Sequence, residues 1–184
     1  MSALPWPTRL ETPRLTLRPF TEEDTPVVMA IQSNWNVARN LRMADYPPTW
    51  EALSAWLTGH ADEWAAGTAY RFALEWEGRV IGCCDIDEIE GDTGELGYWL
   101  TQPAWGKGLA TEAARTVVDL AWTRLGLTGL NSGHAEDNPN SGRILRKLGF
   151  RLTGARRVWS KPREDWIVQR VYHVARSAWR TAGG

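Results

Sequence analysis

Hydrophobic positions along this chain recur with two periods. "RLTLR" (14–18) sets Leu15 and Leu17 between charged or polar neighbours, as a half-buried strand does, and Pro19 helps end it. Thr21 then reads as a helix N-cap: Glu22, Glu23 and Asp24 suit the positive end of a helix, while Val27, Val28 and Ile31 carry apolar spacing, predicting a helix over 22–33. Thr49 can cap a second helix bearing Trp50, Leu53, Trp56, Leu57 and Trp64 and ending at Gly67. "YRFALEW" and "RVIGCCDID" flank Glu77-Gly78, a hairpin turn, and "TGELGYWL" follows Gly91-Asp92 as another strand. Strands linked so closely pair antiparallel. After Gly108 the period returns to that of a helix, with Ala110, Ala113, Ala114, Val117, Leu120 and Ala121 near one face, ending near Gly126. "LTGLNSGHA" is a fifth strand, "NSGRILRKLGF" a short helix closed by Gly149, and "FRLTGARRVWS" with "WIVQRVYHVA" a final hairpin around "KPRED". The predicted order is strand, two helices, three strands, helix, strand, helix, two strands. One mixed α/β (α+β) domain over residues 1–184 is expected, with a mostly antiparallel twisted sheet of about seven strands flanked by about four helices.

Composition removes several classes of function. The 21 basic and 22 acidic residues give a formal charge of −1, so no global field recommends nucleic acid or an anionic membrane as partner; any anion must be bound locally. Apolar runs fall short of the ~20 residues that a membrane span needs, and "MSALPWPTRLETPR" lacks the apolar core of a signal peptide, which predicts a cytoplasmic protein. Cys83 and Cys84 are adjacent and make neither a disulfide framework nor a metal-binding pair; reduced, buried thiols are expected. Strand burial raises a thiol pKa, against a nucleophilic role. His60, His134 and His173 are dispersed without ligand spacing, so no metal is assigned. The twelve tryptophans form no repeat and read as core or pocket wall.

"ELGYWLTQPAWGKGLATEAA" (95–114) runs from strand through a glycine turn into a helix. The first amides of a helix lack internal partners and attract an anion, and Gly106 and Gly108 permit a close approach. Lys107 adds charge and Thr111 a hydroxyl, so a phosphate or diphosphate is the natural ligand, although an ordinary glycine turn satisfies the same stretch. A mononucleotide P-loop is excluded because Gly108, and not Ser or Thr, follows Lys107. "GKGLAT" gives G-x-G-x-x-T where a dinucleotide fold has G-x-G-x-x-G, which leaves an NAD-dependent oxidoreductase as a distant alternative.

Three ordered motifs resemble the GNAT superfamily of acyl-CoA N-acyltransferases, and within it the RimJ/RimL type. Residues Trp105 to Ala110 occupy the family's Q/R-x-x-G-x-G/A signature, with Trp105 departing at its first position; "TPRLTLRPFTEED" (12–24) looks like the opening strand and helix, and "DNPNSGRILRKLGF" (137–150) like the N-x-x-S-x-x-x-x-x-K-x-G-F element. The resemblance implies acetyl-CoA as acyl donor, its diphosphate on the amides of Gly106, Lys107, Gly108, Leu109, Ala110 and Thr111. It further implies a pantetheine arm along "GYWL", contacting Trp99, Leu100 and Asn138, in an opening between the fourth and fifth strands at 97–101 and 130–134. An amine then attacks the acetyl carbonyl directly, and a backbone N–H near Trp99 or Leu100 stabilises the oxyanion.

The same resemblance places Glu95 as general base and Ser141 near the sulfur as acid. His134 is a second candidate base, since an unperturbed imidazole titrates near about 6.5. Each position also has a plainer reading: a solvated strand-end carboxylate at Glu95, a helix-start hydroxyl at Ser141, a turn before Pro139 at Asn138, a loop hydrogen bond at His134. Asp85 and Asp87 share a strand face and either bind an amine or face solvent. Arg146 and Lys147 are outlying candidates for the cofactor phosphates. Trp35, Asn36, Arg39, Trp50 and Trp159 are candidate walls for the acceptor. That acceptor is an amine, either a protein N-terminus, toward which RimJ/RimL likeness leans, or a small molecule; monomer and homodimer stay open. The non-enzyme alternative is an acyl-CoA-binding sensor module.

Overall fold

Leu15 and Leu17 point into the core as their alternation predicts, and they open a sheet that runs through the whole chain. The structure is a computed structural model describing residues 9–179; the opening segment before Arg9 lies outside the described residues. Among these, eight strands form one sheet in the order β1-β2-β3-β4-β5-β6-β8-β7: β1 (Leu10–Glu11), β2 (Leu15–Pro19), β3 (Tyr70–Trp76), β4 (Arg79–Glu90), β5 (Thr93–Leu100), β6 (Gly129–Ala135), β7 (Arg151–Ser160) and β8 (Asp165–Ala175). The eighth strand is the two-residue β1, which pairs with β2 through Leu10 and Leu17. Five helices accompany them: α1 (Thr25–Gln32), α2 (Trp35–Ala38), α3 (Trp50–Ala66), α4 (Leu109–Thr123) and α5 (Pro139–Lys147).

Local chemistry explains most of these boundaries. The Thr49 hydroxyl accepts from the Ala52 amide, and Gly67 closes α3 at φ 71°, a left-handed conformation that costs glycine nothing. The predicted helix at 22–33 is divided: Glu22–Asp24 form a 3-10 turn, with Thr21 and Asp24 as a capping box, before α1 begins. Helix α2 escaped prediction because it is only four residues long; Asn34 caps it by accepting from the Asn36 amide. Helix α4 buries Ala113, Ala114, Val117, Val118 and Ala121 against one sheet face, and its alanines permit close packing. On the opposite face Val28, Leu53 and Leu57 pack with Ala73 and Cys83.

One pairing decides where a site forms. Strands β5 and β6 are parallel, and their register covers only Thr93 to Glu95 against Gly129 to Asn131. Beyond that point the Ser132 hydroxyl donates to the Leu96 carbonyl at 2.8 Å, and the strands part. The opening therefore begins at Leu96 and Ser132; Leu130, placed within it by the sequence reading, is still paired.

Candidate active site

The glycine turn is built from behind by the bend between β1 and β2. Glu112, in the first turn of α4, accepts from the Thr12 hydroxyl (2.6 Å), the Arg14 amide (2.9 Å) and Arg14 Nε (2.7 Å), and Arg14 also donates to the Lys107 carbonyl at 2.7 Å. Burial works to raise the Glu112 carboxyl, but these hydrogen bonds with Thr12 and Arg14 hold it below its ordinary value. Gly106 (φ 75°) and Gly108 (φ 79°) are both left-handed, and a Cβ at Gly106 would meet nothing within 4 Å. A Cβ at Gly108 would stand 3.5 Å from Arg14 Nη2, so the open side of the turn is that of Gly106. Trp105, which breaks the expected motif, donates from its indole to the Leu100 carbonyl at 2.8 Å and closes the strand end against the turn.

A cavity of about 520 Å³ follows from this turn along the opening of the sheet. Trp99, Leu100, Gly106, Gly108, Leu109, Ala110, Thr111, His134, Asn138 and Ser141 all line it, so the sequence reading gathered one connected set. Lys107 is the exception. It does not line the cavity, and its ammonium lies 5.7 Å from the Trp76 ring centroid. Lys147 does line the cavity, whereas Arg146 does not and, though exposed, donates to the Tyr172 hydroxyl at 3.3 Å.

Ladder alternation sorts the backbone groups of β5. The Thr101 amide donates to Ile81 at 2.7 Å, so Trp99 and Gly97, two and four residues earlier, also turn toward β4, while Tyr98 and Leu100 turn toward the opening. The Trp99 N–H is therefore engaged with β4, and the available donors are those of Tyr98 and Leu100.

A second cavity, of about 880 Å³, lies on the other side of the opening. It shares Asn40, Leu41, Tyr98, Trp99, Gly133 and Ser141 with the first, so the two meet at a waist between the parted strands. Its walls carry the carboxylates of Asp45, Glu63, Asp85 and Asp87, with those of Glu88, Glu90 and Glu95, against the guanidiniums of Arg42 and Arg71. Arg71 contacts Glu63 (2.8 Å), Asp85 (3.0 Å) and Asp87 (2.9 Å). Asp85 is buried, not solvent-facing, and burial followed by the neighbouring Asp87 raises its carboxyl although Arg71 opposes this. Glu95 faces the same cavity, and burial, then Glu88 and Asp87, lift its carboxyl to about 6.

The structure corrects several expected walls. Trp35, Trp50 and Trp159 are 39%, 47% and 45% exposed and line neither cavity; Trp159 meets Trp166 edge to face at the end of the final hairpin. Asn36 and Arg39 line the smaller cavity and not the acidic one. His134 also belongs to the smaller cavity, with Nδ1 2.7 Å from the Ala135 carbonyl and Nε2 3.3 Å from the Tyr172 hydroxyl. Ser141 does not cap its helix, for its hydroxyl lies 2.9 Å from that of Tyr98. Cys83 and Cys84 are buried, and burial pushes both thiols up. The sequence reading missed Tyr98 and Arg71; for Arg71 the signal was an arginine facing Asp85 across a predicted hairpin.

A glycine turn at the start of the central helix, a parted parallel strand pair and a second cavity beyond it form one connected site with room for two molecules, an arrangement suited to group transfer. The acetyltransferase (GNAT) domain model matches residues 14–151, and the chain belongs to that family of acetyltransferases. It is 30% identical over 156 residues to an uncharacterized N-acetyltransferase, p20, of Bacillus licheniformis, covering 83% of this chain and 87% of that protein. It is 31% identical over 140 residues to the spermidine N(1)-acetyltransferase of Escherichia coli K12, covering 75% and 73%. Its fold superposes on Mycobacterium smegmatis RimJ in complex with a CoA disulfide with a TM-score of 0.82 at 20% identity, covering 94% and 89% of the two chains. Family membership sets aside the oxidoreductase reading.

Proposed function

We propose that this chain transfers an acetyl group from acetyl-CoA to a primary amine of a small polycationic acceptor, by direct attack in a ternary complex. The observation carrying this reading is the waist at Tyr98, Trp99, Gly133 and Ser141, where a cavity starting at the glycine turn meets one lined by seven carboxylates. Bound acetyl-CoA supplies the acyl group as a thioester. The cavity beside Gly106 and Gly108 fits such a carrier, because the amides of 106–111 stand free of side-chain bulk to hold a diphosphate. The Tyr98 and Leu100 N–H groups line the opening for an extended arm, and one of them donates to the carbonyl oxygen as charge develops there.

Glu95 takes the proton that the attacking amine must lose. Its carboxyl, lifted to about 6, is still largely ionised at neutral pH and is a better proton acceptor than an ordinary glutamate. It stands in the acidic cavity, whereas His134 lies on the other side of the waist. Ser141 hydrogen-bonds the sulfur as the C–S bond breaks, and Asn138 contacts the arm. Glu88 and Glu90, which line the same cavity away from Arg71, hold a second ammonium group of the acceptor. Likeness to a spermidine N(1)-acetyltransferase supports that acceptor class; Arg71 holds Glu63, Asp85 and Asp87 and Lys161 holds Asp45, but Glu88, Glu90 and Glu95 remain to meet more than the one charge of a protein N-terminus. The whole chain, 1–184, serves this one function as a single domain in the cytoplasm.

Thiol release from acetyl-CoA, measured over spermidine, putrescine, butylamine and an N-terminal peptide, tests this reading. Spermidine is expected to give the lowest KM, at least about tenfold below butylamine, the value of one retained ion pair of moderate strength. Transfer to none of the four, or a preference for butylamine or the peptide, contradicts it.

A further inference from the structure

The only hydroxyls among the residues shared by the two cavities are those of Tyr98 and Ser141, and they are bonded to each other. Tyr98 Oη donates to the Ser141 carbonyl at 3.0 Å and lies 2.9 Å from Ser141 Oγ. A phenol has one hydrogen. With that hydrogen on the carbonyl, the second contact is the serine hydroxyl donating to Tyr98 Oη, so the serine hydrogen is held by Tyr98 and is not free for a leaving sulfur.

We propose that Tyr98 is a positioning residue for the leaving-group step: by turning its hydrogen from the Ser141 carbonyl to Ser141 Oγ, it fixes the direction of the serine hydrogen toward the departing sulfur and, as a donor to Oγ, polarises the serine hydroxyl into a stronger donor than it would be without the phenol. The 2.9 Å separation accommodates a hydrogen bond in either direction, so no heavy atom has to move. The inference rests on the reading of Ser141 given above. As the C–S bond breaks, its electron pair stays on sulfur, the serine hydrogen bond takes up part of that charge, and the sulfur later acquires its proton from water. Tyr98 keeps its own hydrogen throughout; burial raises its phenol above the ordinary value, which opposes ionisation.

The surroundings hold this pair in place. Tyr98 projects from β5 into the core that α4 and α5 cover, so its ring is fixed by packing. The first turn of α5 is pressed onto β6: a Cβ at Gly142 would lie 2.5 Å from His134 Nε2 and 3.0 Å from the Tyr172 hydroxyl. Ser141, one residue earlier, is thereby kept at the waist.

Tyr98→Phe removes one oxygen from a site the ring already fills. It is expected to lower kcat by about threefold to tenfold, the range of one hydrogen bond, with the acetyl-CoA Kd unchanged and the melting temperature lowered by no more than the few degrees that one hydrogen bond is worth. A role confined to anchoring α5 would lower the melting temperature or weaken Kd and leave kcat unchanged. Ser141→Ala is expected to lower kcat at least as much, and the double variant is expected to be no slower than Ser141→Ala alone, because the two act as a unit. Losses that multiply in the double variant, or an unchanged kcat in Tyr98→Phe, overturn the proposal. An unchanged kcat in Ser141→Ala overturns the reading of Ser141 itself, which separates the two failures. Should Tyr98→Phe fail to fold, 3-fluorotyrosine at 98, a stronger donor of nearly the same shape, is expected to keep or raise kcat, and a loss beyond about threefold counts against the proposal equally.

Discussion

Asp87 of β4 stands directly across the antiparallel ladder from Glu95 of β5, and both carboxyls face the same cavity. Burial is the main reason that both are raised above their ordinary values; Glu88 and then Asp87 add to it at Glu95, while at Asp87 Arg71 opposes it and Glu88 and Glu63 add to it.

Glu95→Gln is expected to affect activity and stability in opposite directions. The wild-type kcat/KM for the acceptor should fall as pH drops through about 6, where Glu95 gains its proton, and the variant should lose that limb together with most of its turnover. A carboxyl raised on folding binds its proton more tightly in the native state, so wild-type stability declines as pH rises from the unfolded value through about 6. The permanently neutral glutamine should therefore be more stable at pH 7.5, by about 1 kcal/mol after allowing for solvent screening. pH–rate profiles and urea denaturation of both proteins check the pair of signs.

Gly108→Trp should reduce coenzyme A affinity by at least about tenfold while leaving a folded protein. The left-handed backbone at φ 79° strains any side chain there by about 1–2 kcal/mol, and its Cβ would stand 3.5 Å from Arg14 Nη2, so an indole displaces the guanidinium that holds the turn through the Lys107 carbonyl. Calorimetric titration with coenzyme A, with circular dichroism as the folding control, measures it.

Arg71→Met should be among the most destabilising single changes in the sheet. The guanidinium satisfies Glu63, Asp85 and Asp87 together, and removing it leaves the buried Asp85 without its cation, a loss of about 3 kcal/mol or more at pH 7.5. Protonating the freed carboxyls relieves that cost, so part of the loss should be recovered at pH 5.5. Denaturation curves at the two pH values give the comparison.

Ser132→Ala tests the fork of the sheet. Losing the hydrogen bond to the Leu96 carbonyl leaves a buried acceptor unmet where the strands part, at about 1–2 kcal/mol. Stability should fall by that amount, and the KM for acetyl-CoA should rise as the opening loses its fixed edge.

The sequence made the architecture legible wherever local chemistry decided it. Thr49 and Gly67 bounded α3, Gly149 followed α5, and the alanine stripe of α4 announced a helix packed closely on a sheet. The glycine turn was legible for the same reason, since left-handed backbone at Gly106 and Gly108 is a local demand. What escaped depended on distant partners. Arg14 and Glu112 lie 98 positions apart, and their contact shapes the cradle. Lys107 reads as a phosphate ligand from its neighbours, yet Trp76, more than thirty residues earlier, draws its ammonium away. The tryptophans misled because an aromatic on a strand or helix looks alike whether it faces a cavity, as Trp99 does, or solvent, as Trp159 does.

A crystal structure with coenzyme A bound tests the central claim most directly. The account predicts the diphosphate on the main-chain amides of residues 106–111, the arm between 96–100 and 132–135, and the sulfur beside Ser141 and Tyr98. A coenzyme bound outside the smaller cavity, or one whose sulfur points away from the carboxylate-lined chamber, contradicts it.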